Sequence, residues 1–246
     1  MTPMFITAAL RLPAARPLAC ALDAALAFAA TDGPLSGVHL KPTEAGLIVL
    51  GSDGTGISAT TVPIDLDESH GLGGQWSAVD ADTAEAAIGW LLARSDARLT
   101  LRIGSNRWQA DTAGGERTEW PASRRENTEG TADVRDELLR ALAALGCDPV
   151  PPTAVPAELL NRLAAVDHLG AATAREIELI PTARGWVGTF DERATVFGLA
   201  HNRLWCPTDE VLGHITATAA ASTAGHHRIG DIEAQTRRIL DQKAQR

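Results

Sequence analysis

Residues 35–62, LSGVHLKPTEAGLIVLGSDGTGISATTV, constrain the fold most, because they hold three β-rich runs and two turn signals in close succession. Runs 36–41, 47–51 and 56–64 read as strands, separated by 42–46 and by Ser52-Asp53-Gly54-Thr55. Asp-Gly between β-rich runs is a strong hairpin signal, since glycine accepts the positive φ that a tight turn demands. An amphipathic helix over 16–30 precedes them, with Leu18, Leu22, Leu26, Ala25 and Ala29 at i, i+4 spacing. Pro17 suits its first turn, and Gly33-Pro34 stops it. With a short apolar run over 5–12 in front, the unit reads strand, helix, strand, strand, strand.

The same order returns at Gln75. A strand over 76–79 leads into a helix over 81–94 with Ala84, Ala87, Ile88, Leu91 and Leu92 on one face. Strands over 98–103, 108–112 and 116–120 follow, turned at Asn106 and Gly114-Gly115 and ended by Pro121. This is an internal repeat of roughly 60 residues, outside the named solenoid periods. A polar linker over 122–130 separates it from a helix over 133–145 and a second helix from Pro156, whose inward face is Leu159, Leu160, Leu163 and Val166. Strands over 176–180, 186–190 and 195–199 complete a third helix-and-strands run. The helix over 133–145 lacks the strands that should follow it, so the second half is shortened. A charged helix over 229–243 carries a narrow stripe of Ile229, Ile232, Thr236, Ile239 and Leu240, suited to docking on the body or on another subunit. The expected organisation is a first domain over 1–122, a shortened second domain over 131–206 and a helical extension over 207–246.

Hydrophobic content of 45% with mixed charge indicates a globular chain. No window approaches the ~18 to 20 apolar residues of a membrane span. The arginines of the N-terminus follow its apolar run instead of preceding it, which is not the order of a secretory signal. Cys20, Cys147 and Cys206 are odd in number and widely spaced, so a cytoplasmic setting without a disulfide framework is expected. A net charge of −9 opposes nonspecific attraction to nucleic acid over the whole surface and leaves room only for a local basic face.

Leu35, Ser36, Gly37 and Val38, followed by Leu47, Val49, Ser52, Asp53 and Gly54, resemble the signature of the bacterial DNA polymerase III β sliding clamp family, in a divergent, phage-like form. Glu119-Trp120-Pro121 is similar to the Glu-Phe-Pro that often closes a domain of that family. Residues 155–160 resemble its helix opening on a Leu-Leu pair, and Phe197-Gly198-Leu199 its closing strand. The resemblance covers 5–121 and part of 150–200. It implies an α+β DNA clamp fold: repeated βαβββ units with helices on one face of antiparallel sheets. It also implies a non-enzymatic, ring-forming homo-oligomer around duplex DNA, engaging polymerase or clamp-loader peptides in DNA replication and needing no cofactor. A clamp-fold regulatory or adaptor protein that binds a protein partner without encircling DNA is the alternative. Phosphate contact needs basic side chains on the hole-facing helices. The candidates are Arg16, Arg94, Arg124, Arg125, Arg140 and Arg162, with acidic Asp23 on the helix of Arg16, and Asp82 and Glu85 on that of Arg94.

Other constellations have plainer readings. Ser52-Asp53-Gly54 is a hairpin turn before it is a catalytic acid, and no helix follows GSDGTG as a phosphate loop requires. His201, Cys206, His214, His226 and His227 match no zinc spacing, so no metal is expected. Asp80 and Asp82 mark a helix start, where the dipole and free N–H groups favour anions. Glu116 and Glu119 form a second close carboxylate pair. Trp90 and Trp205 are candidates for partner contact, with core packing the commoner fate of such residues.

Overall fold

The computed structural model describes residues 6–73, 75–104, 106–124, 133–145, 149–151, 154–166, 178–190 and 195–200. The element order is β1 (Ile6–Leu12), α1 (Arg16–Leu26), β2 (Val38–Thr43), β3 (Gly46–Ser52), β4 (Gly56–Val62), a 3-10 turn (Leu66–Glu68), β5 (Ser77–Val79), α2 (Ala81–Leu92), β6 (Leu99–Gly104), β7 (Arg107–Thr112), β8 (Arg117–Pro121) and β9 (Ser123–Arg124). Then come α3 (Val134–Leu145), α4 (Ala157–Val166), β10 (Glu178–Thr182), β11 (Gly185–Phe190) and β12 (Thr195–Ala200). The helix expected over 229–243 and the histidine cluster lie outside the described residues.

Two sheets result, a four-stranded one in the order β1-β6-β7-β8 and an eight-stranded one in the order β10-β11-β12-β4-β3-β2-β5-β9. The repeat seen in sequence is therefore interlocked. β1 pairs with β6 and β5 with β2, so each βαβββ unit lends its first strand to the sheet of the other. α1 and α2 pack together beneath both sheets, where Leu18, Leu22, Ala84, Ala87 and Leu91 meet Leu10, Leu40, Val49, Leu101 and Trp108.

Alternation along the strands separates two buried faces. On β3, Leu47 and Val49 face α1, whereas Ile48 and Leu50 join Leu138, Leu139 and Leu142 of α3. The helices of the repeated units thus share one face, and α3, which stands outside any unit, covers the other. That explains why every residue of β3 is buried: its sheet is packed on both sides, and the run Leu47–Leu50 is apolar without alternation. α3 is held by polar contacts as well. Asp136 accepts from Lys41 Nζ (2.8 Å) and Trp76 Nε1 (3.0 Å), and buried Arg135 lies over the Trp76 ring (5.8 Å) while pairing with Asp133 at the start of its own helix (2.6 Å each).

Two local expectations are corrected. The turn expected over 42–46 is shorter, because Pro42 lies inside β2 opposite Leu47. Its carbonyl accepts from Gly73 N–H (3.0 Å), so the N–H it lacks would have faced away from β3, and no rung of that ladder is lost. The helix expected over 16–30 ends at Leu26. Tightened turns follow, with Phe28 N–H to Ala25 and Ala29 N–H to Leu26 (3.1 Å each), and Ala30 N–H then bonds to Ser52 C=O at the end of β3.

α1 lies so close to β3 that a Cβ on Gly51 would sit 1.8 Å from the Ala25 carbonyl oxygen. Gly51→Ala must push the helix backbone off the sheet. We expect a loss of about 2 kcal/mol or more, at the upper end of overpacking costs, read by chemical denaturation.

Candidate functional site

The second half joins the first by strand pairing. β12 continues the sheet at the edge of β4, with Thr195 opposite Thr60 and Leu199 opposite Gly56, and Ala200 N–H bonds to Thr55 C=O (3.0 Å). The two threonine hydroxyls share a buried hydrogen bond of 2.8 Å. Below this seam, Ala24 and Phe28 of the first half meet Leu159, Leu163, Trp186, Phe197 and Leu199 of the second.

The turn between β3 and β4 docks on α4. Asp53 Oδ1 accepts from Thr55 N–H (2.9 Å), Thr55 hydroxyl (2.8 Å) and Gly56 N–H (2.8 Å), which closes the turn. Its Oδ2 accepts from Arg162 Nη2 (2.5 Å), and Arg162 also reaches Glu158 (2.6 Å) and lies over the Phe28 ring (5.3 Å). Burial works against a charge on Asp53, yet the hydrogen bonds from Arg162, Gly56 and Thr55 outweigh it and hold the carboxyl below its ordinary range. The aspartate read as a turn residue is a turn residue, and it is also the clasp for α4.

The candidate arginines do not converge. Arg16 is exposed at the start of α1, its backbone N–H bonded to Ser95 C=O (2.9 Å). Arg94, just past α2, pairs with Glu116 and stacks on Trp90 (4.3 Å). Arg140 is exposed on α3 and pairs with Glu137, on the opposite face of the sheet from Arg162 of α4. Arg124 belongs to β9, opposite Ser77, and Arg125 lies outside the described residues. On the exposed side of the α1, α2 and α4 layer, Arg16 is outnumbered by Asp82, Glu85 and Glu158.

Other suspected features are structural. Trp90 meets Trp120 edge to face at 5.7 Å, while Trp205 lies outside the described residues. Asp80 caps α2 by accepting from Thr83 N–H (2.7 Å), and the Thr83 hydroxyl and N–H hold its carboxyl below the ordinary range. Glu119 pairs with Arg107 (2.7 Å). Among the described residues no group of three His, Cys, Asp or Glu side chains could hold a metal ion, and no helix is long and apolar enough to cross a membrane.

The sheet edges went unread in the sequence, and three of them are accounted for. β1 is capped by 65–70: Ala9 and His70 exchange backbone bonds (3.0 and 2.8 Å), and Asp65 N–H bonds to Arg11 C=O (2.8 Å). β4 is taken by β12. β10 meets Pro149 at Thr182, and Val150 N–H bonds to Pro181 C=O (3.0 Å). β8, and the two-residue β9 that ends the larger sheet, have no strand on their outer sides among the described residues.

Two interlocked βαβββ units, helices layered under antiparallel sheets and a sheet continued from one half into the next make this an α+β protein of clamp architecture. No protein-family model and no curated protein matches the sequence. Solved structures match in shape. Proliferating Cellular Nuclear Antigen from Entamoeba histolytica superposes with a TM-score of 0.52 at 12% identity, over 80% of this chain and 99% of its own. A DNA polymerase sliding clamp from Pseudomonas aeruginosa gives 0.50 at 13%, over 82% of this chain and 68% of its own. The DNA polymerase III beta subunit from Thermotoga maritima gives 0.50 at 10%, over 78% and 64%. The fold of this chain is the DNA clamp fold.

The Asp53 clasp has a testable pH signature. Its folded pKa lies below the unfolded one, so its stabilisation is fully present above about pH 4 and fades as pH falls through the folded value. We expect Asp53→Asn to cost about 1 kcal/mol at neutral pH, with half-exposure keeping it at the low end for a charged hydrogen bond. In denaturant titrations the gap between variant and wild type should close below about pH 4.

Proposed function

We propose that the chain is a sliding-clamp-like processivity factor of DNA replication, a ring-forming homo-oligomer that encloses duplex DNA. Residues 1–122 would be one complete clamp-like domain, 131–206 a shortened second one and 207–246 a C-terminal helical extension. The carrying observation is the continuation of the sheet from β4 into β12, because edge pairing joins clamp-type units without a dedicated interface domain. The match over 99% of a Proliferating Cellular Nuclear Antigen supports a protomer of that size.

On this reading the chain is not an enzyme, uses no cofactor and works in the cytoplasm. Its mechanism is topological: DNA is held by being surrounded, so few phosphate contacts are needed and the salt dependence is shallow. Polymerase or clamp-loader peptides would dock on it as short segments. The acid-leaning helix layer favours a second reading, a clamp-fold adaptor that binds a protein partner and never encircles DNA.

Sizing chromatography with circular duplex DNA at high salt separates the two. Enclosure predicts co-elution with the circle and release once a restriction enzyme linearises it. Failure to co-elute at any salt, or retention after linearisation, contradicts enclosure.

A further inference from the structure

α4 is the least covered helix of its layer. Of its ten residues it buries only Leu159, Leu163 and Val166, whereas α1, flanked by α2 and through Ala24 by α4, buries six of eleven and exposes only Arg16. A helix this short draws its stability from packing, since isolated helices under about 12 residues are marginal in water. At about 3.6 residues per turn, Leu160 and Ala164 lie roughly 200° around α4 from Glu158 and Arg162, which belong to the Asp53 clasp. They therefore look away from the first half, toward the side of β10 where Leu179 packs against the α4 cluster and is only half-buried. Leu160 is 49% exposed, and Ala157, Ala164 and Ala165 are exposed with it. One exposed leucine is ordinary on a surface. This one sits among alanines beside a half-covered sheet face, the mixture of Leu and Ala by which α1 and α2 share their core.

The chain supplies an occupant for this flank. β12 ends at Ala200, whose N–H bonds to Thr55 C=O beside the clasp, so the chain leaves the described residues next to α4. Residues 201–228 then form a tether of roughly 30 Å root-mean-square span before the helix expected over 229–243. The stripe of Ile229, Ile232, Thr236, Ile239 and Leu240 is narrow, and a narrow stripe needs one shallow seat. Residues 225–246 carry five Lys or Arg against three Asp or Glu in a chain of net charge −9, which draws them to the acid-leaning helix layer.

We infer that residues 229–243 dock on the open flank of α4 in their own chain, with the stripe over Leu160 and Ala164 and against Leu179 of β10. α4 then has a helix on its far side, as α1 has α2, and Leu160 is buried. The inference rests on the helical extension read for 207–246 and names its seat. It does not depend on ring formation or on DNA.

Hydrogen exchange of the full chain, read by peptide mass spectrometry, tests it. We expect amides of 229–243 to be protected in the wild type, and Leu160→Asp to lower that protection at least about tenfold while β6 and β7 keep theirs. Leu160 is exposed without the contact, so a substitution there has no other route to residues so far along the chain. The seat is read by disulfides in a chain whose native cysteines are serine. Leu160→Cys should close within one chain with at least one of Ile232→Cys, Thr236→Cys and Ile239→Cys, and not with Ala234→Cys, which lies across the helix from the stripe. Unprotected amides over 229–243 in the wild type overturn this inference and the helical reading of the extension together. Protection that survives Leu160→Asp, a disulfide formed through residue 234 instead, or one formed only between chains overturns the seat while leaving the helical reading in place.

Discussion

The antiparallel pairing of β4 with β12 is the interaction on which the rest of the structure depends. Without it the chain is one interlocked repeat and a helical remnant with three orphan strands. With it, β10-β11-β12 become part of a sheet already anchored by the first half, and the new seam is buried on both faces. Phe28, Phe197 and Leu159 close it beneath, and Leu138 and Leu142 of α3, clustered with Val187 of β11, close it above. Backbone bonds set the register, and the apolar layers supply most of the free energy, since hydrogen bonds exchanged with water contribute little net. The clasp from Asp53 to Arg162 ties the hairpin next to the seam to the helix beneath it.

This economy in building has an electrostatic consequence. Arg94, Arg140 and Arg162 are each paired with an acidic partner, so the charge of these three candidates is offset locally. The helix layer keeps Arg16 against Asp82, Glu85 and Glu158. A surface of that kind would make a weak DNA-binding face on an open protein. It is tolerable in one that holds DNA by enclosure, and it suits a protein that binds something else. The fold and the charge thus constrain different things: the fold narrows the architecture, and the charge narrows the ways in which that architecture can act.

Much of the architecture was legible in the sequence because its signals are local. Helical spacing located α1 and α2, Asp53-Gly54 located the hairpin, and the return of the same element order at Gln75 announced the repeat. What remained hidden is long-range. Nothing in the spacing of β1 or β5 says that each pairs in the sheet of the other unit. Pro42 reads as a turn residue, and it is admitted to β2 only because β5 stops short of it. α3 reads as an ordinary amphipathic helix, and its place on the far face follows from Ile48, Leu50 and Trp76, whose burial partner no local pattern names. The partners of some candidate arginines are hidden in the same way, because a guanidinium that looks free in sequence can be claimed in the fold by an acid far along the chain, as Asp53 claims Arg162.

Covalent capture tests the β4–β12 seam most directly. Thr60 and Thr195 face each other across it, their hydroxyls 2.8 Å apart. In a full chain with its native cysteines replaced by serine, Thr60→Cys and Thr195→Cys should form an intramolecular disulfide readily, seen as a loss of free thiols in a monomeric chain by mass spectrometry under denaturing conditions. Free thiols that persist under oxidation, or disulfides that form only between chains, would contradict a sheet shared by the two halves.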